Sequence, residues 1–392
     1  MKIIKRLVLL MLFLFACKGK TEQNGAPHPI ISYLETNRVA PTTYVINKFN
    51  DHDVIFIGEN HWIKQQVEFV KDLIPVLYEN GIYNLGTEFL NYEDTETANQ
   101  LITAETFDDK LAEEIAFNSD WGWGYKEYID VYKKAWELNK NLPNDAKRFK
   151  IFGIQEVMDF SYVQKEEDFQ NPEIMSKVFA GSYEFDEDEG YSAHAIQTEV
   201  LDKGEKALIH SGIHHAFTSY YQPRFNAATK SFGGVYEKER MGNLVKNKIG
   251  DKTMTIFLHG SWGSEDDTEE VFPVEGVLDR LFSIEDYQKY MPFGVDTENT
   301  PFGDLAGENS KYKYGYPNFS LKDFCDGYIF FTPISDYEVV TQISDFIKPE
   351  QVDYIKGQEF EYRDKDLTAK DLNDTIRIWL EKGQEKLNNI KY

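Results

Sequence analysis

Basic side chains are scarce in this sequence, and their scarcity excludes one class of partner. The chain has 42 Lys and Arg against 67 Asp and Glu, a formal net charge of −25 over 392 residues. Nucleic-acid binding depends on a basic face that releases counterions from the phosphates. We therefore expect no nucleic-acid partner.

Cysteine and the common catalytic signatures are also missing or rare. Two cysteines can build neither a disulfide framework nor a thiolate zinc cluster, so any metal site would use histidine and carboxylate ligands. The sequence contains no Gly-x-Ser-x-Gly elbow, phosphate loop or dinucleotide fingerprint. These absences argue against a serine hydrolase, a P-loop enzyme and a classical dehydrogenase.

What the chain does contain is enough apolar surface to fold. Hydrophobic residues make up 41% and aromatic residues 15%, well above the composition of disordered chains. The length suits two domains of ordinary size, but it also allows one large domain, because a single α/β domain often contains more than about 200 residues. We expect residues 30–392 to form a single domain.

The N-terminus has the layout of a signal peptide. Three basic residues precede an apolar run, Leu7–Ala16, which is too short to span a bilayer as a helix but suits a signal-peptide core. Residues 14–17, Leu-Phe-Ala-Cys, resemble the lipobox of bacterial lipoproteins, where cleavage before the cysteine accompanies its acylation. We predict a signal peptide over residues 1–16, a lipidated Cys17 and a flexible tether over residues 17–29.

The lipobox implies where the protein works. A lipidated Cys17 would anchor the chain to a membrane of the bacterial cell envelope, at the outer membrane, on its periplasmic or its surface face. The second cysteine, Cys325, is then unpaired, and we expect it to be a small buried apolar residue.

Short β-branched or aromatic runs alternate with longer helical patterns along the body of the chain. Strand followed by helix indicates right-handed βαβ units. The sequence therefore predicts an α/β fold with a mostly parallel central sheet and helices on both faces. The predicted strands are Val54–Ile57, Tyr83–Thr87, Phe149–Phe152, Ala207–Ile209, Met254–Leu258 and Tyr328–Phe331. The predicted helices are Ile63–Asn80, with a kink at Pro75, Tyr125–Asn139, Glu237–Ile249 and a terminal helix opened by a capping box at Thr368–Asp371.

Two segments lack such periodicity. Residues 260–325 are rich in Gly, Pro, Tyr and Asp and indicate an extended, lid-like insertion over one end of the sheet. Residues 184–189, Glu-Phe-Asp-Glu-Asp-Glu, are typical of a solvated loop.

Residues that can carry chemistry follow the predicted strands. In an open parallel sheet, ligands bind beyond the carboxyl ends of the strands. Five of the eight histidines lie at or just past three of these ends, which indicates a shared site. The candidate site residues, these histidines and the polar residues at the other strand ends, are Glu59 and His61 after the first strand, Glu88 after the second, Gln155 and Glu156 after the third, His210, His214 and His215 after the fourth, and His259 after the fifth.

Imidazoles and carboxylates in one cleft support two kinds of chemistry: binding of a divalent ion, or proton transfer near neutral pH. His61 is the first choice for general base or metal ligand, against a surface histidine that caps the following helix. Glu59 and Glu88 would be ligands or would raise the basicity of an imidazole. His215 completes the expected site.

The remaining candidates stay open. His214 competes with His215 if the segment is extended, whereas His210 and His214 share a face if it is helical. His259 is a lesser candidate. Arg240 would orient an anionic substrate group or join a surface salt bridge. Four aromatic residues are candidates for either pocket walls or core: Trp121, Trp123, Tyr220 and Tyr221.

Four motifs together resemble a known superfamily. They are the Gly-Glu-Asn-His run at 58–61, the acidic Glu88, residues 149–155 and the Gly-x-x-His run at 212–215. This pattern, over residues 50–260, resembles the superfamily of erythromycin esterases, ChaN-like proteins and Tiki (TraB) proteins. The resemblance implies an α/β fold with its site at the strand carboxyl ends. His61 follows Glu59 by two residues, whereas the esterase pattern has three, and the lipobox favours the ChaN-like side.

Two functions follow from these expectations. The first is a lipid-anchored hydrolase that uses the Glu/His cluster, with or without a divalent metal such as Zn, Mn or Co, to cleave an ester, lactone or amide bond in a small-molecule or peptide substrate. The alternative is a haem-binding or metal-binding uptake lipoprotein without catalytic activity. Haem carries anionic propionates, which an acidic domain is poorly suited to bind, so composition favours the hydrolase.

Overall fold

A computed structural model describes residues 28–185, 187–226 and 231–390, without the side chain of residue 226. The predicted signal peptide, the lipidated Cys17 and most of the predicted tether lie outside these residues. The end of the predicted tether is helical instead, because the first helix begins at Pro29 with His28 as its N-cap. Within the described residues, no helix has the length and apolarity needed to cross a bilayer.

In the part of the chain that the structure describes, seven strands form one central sheet and four others form two antiparallel pairs. In chain order the strands are β1 (Val54–Glu59), β2 (Asn84–Asn91), β3 (Lys150–Gln155), β4 (Ala207–Gly212), β5 (Gln222–Asn226), β6 (Ser231–Glu237), β7 (Thr253–Leu258), β8 (Trp262–Gly263), β9 (Glu270–Val271), β10 (Phe293–Asp296) and β11 (Gly327–Phe330). The order across the large sheet is β10-β11-β7-β1-β4-β2-β3. Only the pair of β10 with β11 is antiparallel in that sheet. The six predicted strands are confirmed.

Helices cover the sheet and connect its strands. They are α1 (Pro29–Asn37), α2 (Pro41–Lys48), α3 (Lys64–Glu79), α4 (Thr95–Thr103), α5 (Asp109–Ser119), α6 (Lys126–Asn141), α7 (Pro172–Val178), α8 (Gly190–Glu199), α9 (Ile213–Ala216), α10 (Met241–Ile249), α11 (Val277–Phe282), α12 (Glu285–Gln288), α13 (Leu321–Phe324), α14 (Val352–Gln358) and α15 (Ala369–Asn388). Short 3-10 helices span Tyr92–Asp94, Phe160–Tyr162, Glu166–Gln170, Ser182–Glu184, Leu201–Lys203, Gly250–Lys252, Pro273–Gly276, Lys311–Lys313, Ile334–Asp336 and Pro349–Gln351.

The predicted helices are present, and the start of one of them is corrected. Helix α3 contains Pro75 and continues past it to Glu79, and the kink expected at Pro75 stays a prediction. The predicted helix from Glu237 begins later, at Met241, because residues 231–237 pair with β5 as the second strand of a hairpin. The capping box at the start of α15 is confirmed, since the Thr368 hydroxyl and amide both bond to Asp371.

Alternate side chains of β1 show why both faces of the sheet are covered. Ile55 and Ile57 pack with helices α3, α6 and α15 on one face. Val54 and Phe56 pack with α8, α10 and the chain after β7 on the other. All four are fully buried, as expected for strands inside a doubly covered parallel sheet. The α/β fold predicted from the sequence is therefore confirmed.

The segment 260–325 is more ordered than its composition suggested. It contributes the edge strand β10, three helices and the β8–β9 hairpin. Its aromatic side chains, among them Trp262 and Phe293, are buried in the core. The segment is therefore an ordered part of the domain, and the aromatic side chains that it buries hold it in place; its lid-like role stays a prediction. Cys325 is buried and unpaired, as predicted.

Candidate active site

The strand order brings the predicted residues together. Strand β4 lies between β1 and β2, with Glu59 opposite Gly212 and Thr87 opposite His210. Glu88 follows Thr87 within β2, directly after the last residue that pairs with β4. Because these parallel strands end at one edge, residues distant in sequence meet there.

Glu59 is a buried carboxylate surrounded by hydrogen-bond donors. Its Oε1 accepts from Tyr128 at 2.5 Å and from Nδ1 of His61 at 2.9 Å, and its Oε2 accepts from Nε2 of His210 at 2.6 Å. Burial raises its pKa, but the His210 charge and the bonds from His210 and His61 outweigh burial and lower the pKa to about 2. Glu59 is therefore ionised at neutral pH and fixes the His61 ring.

His61 presents its second ring nitrogen to the site. Nδ1 is bonded to Glu59, which leaves Nε2 facing Oε1 of Glu88 at 3.8 Å. Burial lowers the His61 pKa, but the Glu88 charge and the bond to Glu59 raise it above its ordinary value. The next residue, Trp62, has a left-handed backbone with φ of 69°. Such strain in a non-glycine residue is typical of functional sites.

Glu88 lies between two imidazoles. Its Oε2 accepts from the Gly212 amide at 2.6 Å, while its Oε1 lies 3.4 Å from Nε2 of His215 and 3.8 Å from Nε2 of His61. A Cβ on Gly212 would lie 2.8 Å from the His61 ring. Only glycine therefore allows the strand to approach this closely.

His215 belongs to a second carboxylate–imidazole pair. Its Nδ1 donates to Glu189 at 3.0 Å, and the Met241 amide donates to the other Glu189 oxygen at 2.7 Å. Arg240 also donates to Glu189. Burial lowers the His215 pKa, but the charges of Glu189 and Glu88 raise it to about 9. His215 is thus a cation at neutral pH.

Glu189 was missed by sequence reasoning. It ends the acidic run that indicated a solvated loop, yet its side chain is only 12% exposed. Burial raises its pKa, but His215 and Arg240 lower it to about 2. The available signal was the helix that begins directly after it at Gly190. Tyr128, on helix α6, was missed as well, because nothing in the sequence places it beside β1.

The competing histidines have other partners. His210 lies on β4, not on a helix, and is buried against Glu59, so the predicted His210–His214 face does not form. Nε2 of His214 lies 2.8 Å from the Tyr312 hydroxyl. Burial, with Lys311 and Arg240 nearby, lowers the His214 pKa to about 3. The helix α9, which starts at Ile213, turns His215 towards Glu88.

Of the lesser candidates, His259 lies in the core, whereas Arg240, Gln155 and Glu156 line the same cavity as Glu88 and His215. His259 is fully buried, with Nδ1 2.5 Å from the Tyr328 hydroxyl and Nε2 3.2 Å from Asp279. Arg240 forms salt bridges with Glu189 and Glu237. The Arg240 side chain is only 22% exposed and shares Glu189 with His215, so these are not the surface salt bridge that was expected. Tyr220 is buried in the core and Tyr221 donates from its amide to Tyr316, while Gln155 donates to Ser119 and Glu156 accepts from Ser182.

Two cavities flank the cluster. The first, which we call the tryptophan chamber, has a volume of about 630 Å³ and is lined by His61 with Trp62, Trp121, Trp123 and Trp379. The second, the methionine cleft, has a volume of about 710 Å³ and is lined by Glu88, His215 and Glu189 with Met158, Met175 and Met241. Trp121 and Trp123 therefore line a pocket, which was one of the two alternatives, pocket wall or core, that the sequence left open.

A metal ion was one expectation for Glu59, His61, Glu88 and His215. Both oxygens of Glu59 already accept hydrogen bonds from protein donors. Among residues 28–185, 187–226 and 231–390, no group of three or more His, Cys, Asp or Glu side chains is placed to hold a metal ion. The arrangement is instead that of two oriented imidazoles around one carboxylate, which suits proton transfer.

Comparisons with known proteins give structural matches only. No family model and no curated protein matches the sequence. The structure of a succinoglycan biosynthesis protein matches at 12% identity and a TM-score of 0.48, and the match covers 79% of this chain and 98% of that protein. A Bacillus cereus protein matches at 9% identity and a TM-score of 0.45, covering 77% and 96%. An erythromycin esterase mutant in its open conformation matches at 8% identity and a TM-score of 0.45, covering 81% and 98%.

Proposed function

We propose that the protein is a hydrolase that cleaves an ester, lactone or amide bond by general-base catalysis. One observation carries the proposal: Nε2 of His61 and Nε2 of His215 converge on the same oxygen of Glu88, between two cavities. Converging titratable groups with shifted pKa values in a cleft are the usual mark of a catalytic site.

His61 is the base in this proposal. Because Nδ1–H is bonded to Glu59, the neutral ring carries its lone pair on Nε2. Nε2 takes a proton from water, whose oxygen forms a bond to the substrate carbonyl carbon. Ionised Glu59 stabilises the imidazolium that results. When the bond to the leaving group breaks, the proton passes from Nε2 to the leaving oxygen or nitrogen.

His215 and Glu88 have separate roles. His215 is positively charged at neutral pH, so it stabilises the negative oxygen of the tetrahedral intermediate. Glu88 lies between the two rings and is placed to hold the attacking water near Nε2 of His61. Positioned charges of this kind contribute on the order of 10²–10³ in rate.

The assay is hydrolysis of chromogenic ester, lactone and peptide substrates by the full-length protein in detergent. We expect turnover that falls at least about 100-fold in His61→Ala, with normal folding by circular dichroism. Repeating it with added Zn²⁺, Mn²⁺ or Co²⁺ tests a metal-dependent version. A saturable Soret band with haemin, lost in His61→Ala and without hydrolysis, would favour the binding alternative instead.

The lipobox-like run at residues 14–17 supports a second proposal, that the enzyme is anchored to the bacterial cell envelope through Cys17. Labelling cells with palmitate tests it. We expect label in the wild-type chain and none in Cys17→Ser, and equal labelling of the two would remove the anchor from the account.

A further inference from the structure

The cluster lies between its two cavities, not at the bottom of one. His61 lines the tryptophan chamber, while Glu88 and His215 line the methionine cleft. A third cavity, of about 190 Å³, shares His61 with the chamber and His215 with the cleft. A bond placed at the cluster therefore has space on both sides.

The chamber has a rigid aromatic wall. Trp123 stacks on Phe89 with ring centroids 5.3 Å apart and planes at 14°, and Trp121 contacts Trp379 at 5.3 Å. More than half of its lining is apolar, with polar groups from Asp120 and Lys382 among the rest. Walls of several indoles favour a flat or ring-shaped apolar group through stacking and edge contacts.

The cleft has a different wall. Met158, Met175 and Met241 line it together with Phe179 and Tyr183. Methionine is unbranched and adapts its shape to the ligand, so these residues favour a flexible chain over a rigid ring. Six carboxylates line the cleft against two guanidinium groups and one imidazole. This excess of negative charge disfavours an anionic ligand.

We infer that the substrate is two-sided: its scissile carbonyl joins a ring-shaped apolar group, bound in the tryptophan chamber, to a flexible chain without negative charge, bound in the methionine cleft. The inference rests on the proposed function and names the substrate class of that same site. Binding energy from both groups would then hold the carbonyl at His61, so that removing either group lowers kcat/KM.

The test separates binding from hydrolysis. Four ketones, which cannot be hydrolysed, are titrated calorimetrically into the full-length protein in detergent. One carries a naphthyl group and a hexyl chain on either side of the carbonyl, two carry only one of these groups beside a methyl, and the fourth carries the naphthyl group and a chain ending in carboxylate. The matching naphthyl and methyl esters are assayed for turnover.

We expect the two-sided neutral ketone to bind at least about tenfold more tightly than either one-sided ketone, and about tenfold more tightly than the carboxylate-ended one. Trp379→Ala should weaken every naphthyl ligand and leave the hexyl methyl ketone unchanged. Met175→Ala should weaken binding of the ketones that carry a hexyl chain and leave binding of the naphthyl methyl ketone unchanged. Trp136→Ala and Met291→Ala, which alter residues outside both cavities, are the matched controls.

The outcomes are distinguishable. Equal affinity of the two-sided ketone and the better one-sided ketone overturns the inference, as does equal affinity of the neutral and carboxylate-ended chains. These comparisons use wild-type protein, so they do not depend on the folding of a variant. Selective binding without ester cleavage would leave the inference standing and contradict the proposed hydrolase. Cleavage of all the esters with the same kcat/KM would support the proposed hydrolase and contradict the inference of a two-sided substrate.

Discussion

Nε2 of His215 lies 3.4 Å from Oε1 of Glu88, and this contact joins two carboxylate–imidazole pairs into one site. On one side of Glu88 are His61 and Glu59, and on the other are His215 and Glu189. The carboxylates around them raise the pKa of both rings. His215 has a pKa of about 9, which makes it the cation of the site, and we assign His61 as the base because its Nε2 faces Glu88 and the ring lines the tryptophan chamber.

The first prediction concerns Glu59. Glu59→Gln removes the charge that orients His61 and stabilises its protonated form, so kcat should fall by roughly 10²–10⁴ while KM changes little. The buried amide cannot satisfy three donors, so the free energy of unfolding should also fall by about 1–3 kcal/mol. Steady-state kinetics and urea denaturation measure both effects. Glu350→Gln, an exposed substitution, is the control and should change neither.

The second prediction is a bell-shaped pH dependence of kcat/KM. Activity should fall on the acid side as His61 becomes protonated, and its pKa lies above the ordinary value. It should fall on the alkaline side near pH 9, as His215 loses its proton. Glu189→Gln removes a negative charge from His215 and should move the alkaline limb to lower pH. If the alkaline limb of the Glu189→Gln profile did not move, a group other than His215 would be responsible for it.

The third prediction uses the close approach of Gly212. In Gly212→Ala the new Cβ would lie 2.8 Å from the His61 ring, so the ring must shift from its present position. Activity should fall more than about tenfold, because small displacements of a catalytic group are costly. Gly357→Ala meets no atom within 4 Å and should leave kcat/KM unchanged. A fully active Gly212→Ala would show that the position of the His61 ring is unimportant.

The fourth prediction is the pH dependence of stability. The pKa values of Glu59 and Glu189 fall from 4.5 to about 2 on folding, so their contribution is present above pH 4.5 and is lost as the pH falls towards 2. The pKa of His215 rises from 6.5 to about 9, so its contribution is present below pH 6.5 and is lost as the pH rises to 9.

Together these groups predict the highest Tm between about pH 4.5 and 6.5 from this site. Thermal melts across the range measure it. Glu189→Gln should flatten both limbs, because it removes one of the carboxylates and the main partner of His215. A Tm of this variant that follows the wild-type curve at every pH would contradict the assignment.

Most strands of the central sheet could be predicted, because each contains an apolar run that can be recognised from the local sequence alone. Hairpin β5–β6 and the edge strand β10 were missed, since their sequences lack such runs and their pairing is set by contacts far along the chain. The same limit applies to the site. Glu59, His61 and Glu88 lie just past the ends of the predicted strands. Glu189, which directly precedes α8, and Tyr128, on α6, reach the cluster only through tertiary packing.

The choice between His214 and His215 shows a second limit. Both follow the same strand, and the point at which the following helix begins decides which of the two side chains faces Glu88. The short helix α9 begins at Ile213, and boundaries of such elements are set by packing rather than by local sequence. His259 also follows a strand, yet Tyr328 and Asp279 bind it inside the core.

The most direct test of the account is the kcat/KM of the full-length protein for 2-naphthyl hexanoate, measured for wild type, His61→Ala, His215→Ala and the double variant. We predict a loss of at least about 100-fold for each single variant and little further loss in the double variant, because the two rings act on one intermediate. Wild-type turnover that both single variants retain within about twofold would contradict it, since Glu88 would then not join two catalytic imidazoles.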